Sequence, residues 1–237
     1  MQCVILAGGL GTRMRPLTDH CPKTLLPVGG RPFAYHQLHW LAAQGVTEVV
    51  YAIGHQGQLI RRYWDTEPRP VSWIRYVDEG EKLRGTGGAL RLALEQGVLH
   101  ESFLVIYGDS FLPVVFAPVW NAFMESGRPA LMTVLRNEGR WDRSNVIYDG
   151  GRVVLYDKRG GNAMNFIDYG LSAMRRELLE AVTTEKFDLS ELFQELSLQG
   201  QLAGFEVAER FYEIGSPAGL RDLETYLEAR EAASCSR

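Results

Sequence analysis

Three cations, Arg13, Arg15 and Lys23, fall within eleven residues, directly after glycines at Gly8, Gly9 and Gly11. Glycines let backbone N–H groups converge on an anion with no Cβ in the way, and guanidinium and ammonium groups beside them match phosphate oxygens. Residues 4–28, VILAGGLGTRMRPLTDHCPKTLLPV, therefore outline a polyphosphate site. A short apolar strand delivers Leu6 and Ala7 to the glycines, while Pro16, Pro22 and Pro27 keep the following chain extended. A second reactive position is Asp109, which with Gly108 follows the apolar run FLVIY at 103–107. Ligands gather at the carboxyl ends of strands in open α/β sheets, and a carboxylate there can hold Mg²⁺ against phosphate.

Those groups need a scaffold, and the hydrophobic pattern supplies one. Residues 31–45 place Tyr35, Leu38, Leu41 and Ala42 at helical spacing and stop at Gly45; residues 48–53 (EVVYAI) read as a buried strand. The order strand, loop, helix, strand is a right-handed crossover and implies a parallel sheet. A helix at 56–64, a strand at 73–77 and an Ala/Leu-rich helix opened by Thr86-Gly87-Gly88 continue the alternation. A strand at 130–134 follows, then a hairpin formed by 145–148 and 153–156 across Asp149-Gly150-Gly151. A helix at 185–196 capped by Asp188, a strand at 205–207 and an amphipathic helix at 218–230 complete the chain. The shift from alternation to hairpin sets a soft boundary near residue 111.

The chain has 237 residues, 46% of them hydrophobic, enough for a substantial core in one large or two small units. A net charge of -4, with both signs interspersed, argues against a nucleic-acid surface. Cys3, Cys21 and Cys235 are widely spaced and form no CxxC, so neither a disulfide framework nor a zinc knuckle is expected, and Cys3 reads as a core residue of the first strand. No stretch has the form of a leader or a membrane span, so a soluble, reducing, cytoplasmic setting is the expectation. A homo-oligomer is compatible with the sequence.

Two glycine motifs fit residues 8–14 poorly. A dinucleotide fingerprint wants a third glycine where Met14 stands, and a P-loop wants a Gly-Lys-Ser/Thr step that is absent. The stretch instead resembles the signature of the sugar-1-phosphate nucleotidyltransferases: a strand, GG-x-GTR, RPLT, then PK before LLPV. Gly8, Gly9, Gly11, Thr12, Arg13, Arg15, Pro16, Leu17, Thr18, Pro22, Lys23, Leu25, Pro27 and Val28 all match. The resemblance runs to about Tyr226 and implies a Rossmann-like three-layer α/β/α fold with a mostly parallel central sheet. It also implies a smaller sugar-binding β/α portion. With no hexapeptide repeats present, no left-handed β-helix is expected. Residues 1–237 would form one domain, 1–110 binding nucleotide and 111–237 binding sugar phosphate.

The resemblance also assigns roles. Leu6, Ala7, Gly8, Gly9, Gly11, Thr12 and Arg13 would hold the nucleotide, with Thr86, Gly87 and Gly88 lining the base pocket and Glu79 or Glu81 reading base donors. Lys23 would bridge the two phosphates that react. Asp109 would bind Mg²⁺, joined by Glu213, where many relatives carry aspartate. Asn145, Lys158, Asp168, Tyr169 and Gly170, together with Lys23, would form the sugar-phosphate side; Asp157-Lys158 stands where relatives carry E-K. The catalytic set is thus Arg13, Lys23 and Asp109, the cofactor Mg²⁺, and the partners a nucleoside triphosphate and a sugar 1-phosphate. An attacking phosphate is already ionised, so no histidine is needed as a base, and His20 and His55 read as loop residues.

The Arg31-Pro32-Phe33 step, the EKF-x-L-x-EL-x-QE stretch and the compact length look most like heptose- or mannose-1-phosphate guanylyltransferases, which implies GTP. Uridylyl or cytidylyl transfer to another sugar phosphate or to phosphocholine is the alternative. A non-catalytic nucleotide-sensing subunit is the alternative class, although such a chain should have lost Lys23 or Asp109.

Overall fold

The computed structural model describes residues 1–161 and 163–235, without the side chains of the last two, so Cys235 lies outside the described side chains. The first strands are β1 (Gln2–Ala7), β2 (Pro27–Val28), β3 (Arg31–Pro32), β4 (Glu48–Ile53), β5 (Trp73–Asp78), β6 (Ser102–Tyr107) and β7 (Ser110–Phe111). They are followed by β8 (Ala130–Arg136), β9 (Val146–Asp149), β10 (Arg152–Tyr156), β11 (Phe166–Arg175), β12 (Leu202–Val207) and β13 (Tyr212–Glu213). The helices are α1 (Phe33–Ala43), α2 (Gly57–Thr66), α3 (Gly85–Glu95), α4 (Phe116–Ser126), α5 (Glu177–Glu180), α6 (Leu189–Leu198) and α7 (Pro217–Cys235).

β-Branched and aromatic residues in β1, β4, β6 and β8 build one nine-stranded sheet in the order β5-β4-β1-β6-β11-β8-β12-β10-β9. The strands β5, β4, β1 and β6 are mutually parallel, as the crossover rule requires. Strand β11 then runs antiparallel to both β6 and β8, β12 is again parallel to β8, and β10 turns back. The sheet is therefore mostly parallel in direction and continuous through the expected boundary near residue 111.

Alternation along β1 shows why helices cover both faces. Cys3, Ile5 and Ala7 join one core with Leu38 and Leu41 of α1, Trp64 of α2 and Phe123 of α4. Val4 and Leu6 join the other with Leu90 of α3 and Leu192 and Phe193 of α6. Each fully buried Leu, Ile or Phe contributes about 1.5–3 kcal/mol, so the two cores together make the three-layer arrangement. Cys3 is fully buried, as its strand position predicts.

The hairpin forms as expected, with Val153 opposite Tyr148. Helix α6 begins after Asp188, whose side chain and that of Glu191 make a reciprocal capping box. Two elements escape the sequence pattern. Residues 116–126 mix aromatic and β-branched residues with Pro118, yet fold as α4 because Phe116, Val119 and Phe123 fit the sheet face. Residues 166–175 are one long strand, irregular opposite β8 between Asp168 and Ser172, where Gly170 takes φ +97°. Among the described residues no helix is long and apolar enough to cross a membrane.

Candidate active site

Strand order reverses at β1: β4 and β5 lie on one side, and β6 on the other. The carboxyl ends of β1 and β6 consequently open a crevice at a topological switch point, where ligands bind in such sheets. It holds a cavity of about 260 Å³ floored by Leu6 and Ala7 of β1, Ala52 of β4 and Tyr107 of β6. Gly8, Gly9, Lys23, Thr24, Gly108 and Asp109 line it further. Glu79, Leu83, Gly85, Thr86, Ala89 and Asp188 complete the lining.

The glycine loop is held from below. Gly11 takes φ 63°, a left-handed conformation that favours glycine, and its carbonyl accepts a hydrogen bond from Thr18 Oγ1 at 2.9 Å. Gly8 lies close under Glu79: a Cβ there would meet Glu79 Oε2 at 2.6 Å, which the carboxylate would have to swing away to admit. The end of β6 is equally constrained. Gln37 Nε2, on the buried face of α1, donates to Tyr107 O at 2.9 Å and to Ser110 O at 2.8 Å, and Thr24 Oγ1 donates to Gly108 O at 3.1 Å. These bonds fix the backbone on either side of Asp109.

At the mouth, Lys23 Nζ donates to Asp109 Oδ2 at 2.7 Å, with the lysine side chain 17% exposed. The Asp109 carbonyl accepts from Ile214 N at 3.0 Å, and Ser110 pairs with Glu213 between β7 and β13. A Cβ on Gly215 would lie 3.6 Å from Arg13 Nη2 and 4.0 Å from Lys23 Nζ, so both cations converge beside Glu213. The Glu213 carboxyl reaches the surface but is flanked by protein; that desolvation, then the charge of Asp109, pushes its pKa up to about 7 against the pull of Arg13 and Lys23. Thr12 and Arg13 occupy an exposed 3₁₀ turn outside the cavity walls.

Asp109 and Glu213 bring two carboxylates near one another, the donor type that Mg²⁺ takes. Two carboxylates repel each other beside a place for phosphate, and among the described residues no three His, Cys, Asp or Glu side chains gather into a closed cage. Mg²⁺ is usually held by one or two carboxylates, keeping its remaining positions for water and phosphate oxygens.

Glu79 accepts from Arg84 N at 2.7 Å through Oε1, and burial raises its pKa although that bond lowers it. Glu81 is exposed. Two expected site positions lie elsewhere in the structure. Gly87 and Gly88 do not line the cavity; both their N–H groups donate to Phe187 O, at 3.1 and 3.2 Å, and a Cβ on Gly87 would strike the Phe187 ring. Their small size admits the segment before α6, while Gly85 and Thr86 face the cavity.

Beyond Tyr107, Asn145 Oδ1 accepts from Asp168 N at 2.8 Å, and Asp168 Oδ1 accepts from Gly170 N at 3.0 Å. Burial pushes the Asp168 carboxyl up to about 6, partly offset by the Gly170 bond. Tyr107 itself is raised well above the ordinary tyrosine range, by burial first and by Asp168 next, with Asp109 and Asp188 adding. Lys158 is exposed and pairs with Asp188 at 3.4 Å, at the cavity edge. Tyr169 is the second correction. Its ring is 1% exposed in the core, edge-on to Phe211 at 6.0 Å, and no sugar can reach its buried hydroxyl without displacing that packing.

Sequence reasoning missed Gln37, Thr24, Tyr107 and the cavity role of Asp188. Gln37 alone left a signal, as a polar residue within one turn of the apolar stripe Ala34, Leu38, Leu41.

Comparison with known proteins agrees with this geometry. The family model of the MobA-like NTP transferase domain matches residues 3–210. A D-glycero-alpha-D-manno-heptose 1-phosphate guanylyltransferase of Aneurinibacillus thermoaerophilus is 28% identical, covering 96% of this chain and 99% of its own. A mannose-1-phosphate guanylyltransferase catalytic subunit beta of Danio rerio is also 28% identical, over 92% of this chain and 62% of its own. In fold, the chain resembles HddC from Yersinia pseudotuberculosis, whose crystal structure is a complex with GMP-PN, with a TM-score of 0.79 at 23% identity over 95% of this chain and 99% of that one. A switch-point cavity, a glycine loop beside paired cations and acids, and a family match spanning nearly all of these elements lead to one assignment: the chain belongs to the nucleotidyltransferases of the MobA-like NTP transferase family.

Proposed function

We propose that this chain transfers a guanylyl group from GTP to a heptose or mannose 1-phosphate, forming the nucleotide-sugar and pyrophosphate. The observation that carries the reading is the 2.7 Å contact of Lys23 with Asp109 in a cavity that is also lined by Glu79. A carboxylate only accepts hydrogen bonds, which suits the N1–H and N2–H₂ donors of guanine. The named activities of the relatives from Aneurinibacillus and Danio support the same nucleotide and acceptors.

In this scheme Leu6, Ala7, Gly8 and Gly9 offer backbone to the nucleoside, and the N–H groups from Gly9 to Thr12 with Arg13 hold the β and γ phosphates. Asp109 and Glu213 would hold Mg²⁺, which when bound neutralises charge on the α-phosphate. Lys23 leaves Asp109 to lie between the attacking and attacked phosphates, reducing their repulsion as charge develops. The acceptor phosphate oxygen attacks the α-phosphorus and pyrophosphate departs; the site's work is alignment and charge compensation, so no protein nucleophile is used. Asn145, Asp168 and Gly170 face the sugar, and Lys158 swings from Asp188 to its phosphate.

The test is pyrophosphate release by the purified chain with Mg²⁺, four nucleoside triphosphates and a panel of sugar 1-phosphates. Release with GTP and a manno-configured acceptor is expected; preference for UTP or CTP would overturn the base assignment, and no release with any pair would overturn the reaction.

A further inference from the structure

Glu213 does not belong to the nine-stranded sheet. It sits on β13, a two-residue strand paired only with the two residues of β7, Tyr212 opposite Phe111 and Glu213 opposite Ser110, among the described residues. So short a ladder is marginal by itself, and something else must hold it. The structure supplies a stack. The Arg210 guanidinium carbon lies 4.1 Å from the centroid of Trp141 and 4.8 Å from that of Tyr212. Its Nη2 donates to Asp222 Oδ2 at 2.6 Å. Tyr212 in turn stacks on Tyr226 of α7, centroids 4.6 Å apart, and Tyr226 meets Phe111 of β7 at 6.1 Å. One side chain thereby ties the loop after β8, the segment after β12, β13 and α7 into a circuit that returns to the neighbour of Asp109.

We propose that Arg210, seated against Trp141, is a positioning residue for the acid pair: the stack holds β13 on β7 and so sets the reach of Glu213 toward Asp109. This rests on the role proposed above for the two carboxylates. Arginine is the residue suited to the task, because a planar guanidinium can lie over rings while its edge N–H pairs with a carboxylate. Lysine retains the charge without the plane.

The test reads metal binding directly. Mn²⁺ is titrated by electron paramagnetic resonance in the presence of a non-hydrolysable GTP analogue, beside melting curves and the Mg²⁺ dependence of pyrophosphate release. Arg210→Ala should weaken Mn²⁺ binding about tenfold, the usual scale for losing a group that orients a metal ligand, with nucleotide KM unchanged at saturating metal. Arg210→Lys should recover only part of the loss. Trp141→Ala, on an exposed loop and free of any effect on the core, should fall between the two. Unchanged Mn²⁺ binding in both alanine variants, with only a lower melting temperature, would overturn the positioning role while leaving the functional reading in place. A parent protein that neither binds Mn²⁺ with nucleotide nor releases pyrophosphate would defeat that reading, and the positioning role with it.

Discussion

At the proposed phosphate end of the cavity, Gly8, Gly9, Lys23 and Thr24 come from one stretch of seventeen residues hung between β1 and β2. On the proposed sugar side, Asn145, Lys158, Asp168 and Asp188 come from four separate places, linked in pairs by the β9–β10 hairpin, the irregular turn of β11 and the cap of α6. The first region carries its groups on one local loop, whose buried side chains include Met14, Thr18 and Thr24; in the second, Asn145 and Asp168 are tied into the strands while Lys158 and Asp188 stay partly exposed. Substitutions at the phosphate end should therefore remove chemistry and spare the fold. Substitutions at the other end, and around the glycines that admit α6, should disturb stability as well.

The largest effect tests that contrast most severely. Lys23→Ala should lower turnover by about 10²–10⁴-fold, the range for removing one preorganised charge, with a melting curve close to the parent's. An equal collapse of stability would break the comparison. Next, Glu79→Gln replaces an acceptor-only group and should reduce kcat/KM for GTP by roughly 10–100-fold, equivalent to losing one hydrogen bond to a charged group, with a smaller effect on other triphosphates. Parallel losses for all four nucleotides would remove Glu79 from base reading.

Gly87→Ala probes the other kind of region. A methyl group against the Phe187 ring should destabilise the chain by about 1–3 kcal/mol, seen as an earlier denaturant midpoint, with little change in nucleotide KM. A raised KM at unchanged stability would return this glycine to the base pocket. The smallest effect is a pH dependence. Asp168 has its pKa raised from 3.8 to about 6, so between those values the folded state binds more protons than the unfolded one. Stability then falls as pH rises through that window. Asp168→Asn carries no ionisable proton, and its melting temperature should gain on the parent's from pH 4 to pH 6.5; a constant difference would show that the carboxyl is not desolvated.

Legibility follows the same division. The glycines and cations of residues 8–23 could be singled out because their order suits phosphate chemistry, and Asp109 because it ends an apolar strand. Helix α6 announced itself through Asp188 and Glu191. Tyr169 was misplaced because Asp168 and Tyr169 alternate across the sheet at an irregularity, and only the register shows that Asp168 lies beside Tyr107 while Tyr169 points into the core. Gly87 and Gly88 were misread because a glycine that admits a ligand and one that admits another segment look alike until the segment is seen.

The amino-acid sequence by itself determined the alternation of strands and helices, the glycine loop after β1 and the acid at the end of β6, since each depends on spacing within a few residues and on side-chain type. The tertiary structure alone decided which groups face one another across the cavity: Lys23 against Asp109, Glu213 on its two-residue ribbon, and Gln37 beneath the strand end. Those pairings join residues up to about a hundred or more positions apart, and they are chosen by packing and by the requirement that buried polar groups find partners, neither of which is encoded in local spacing.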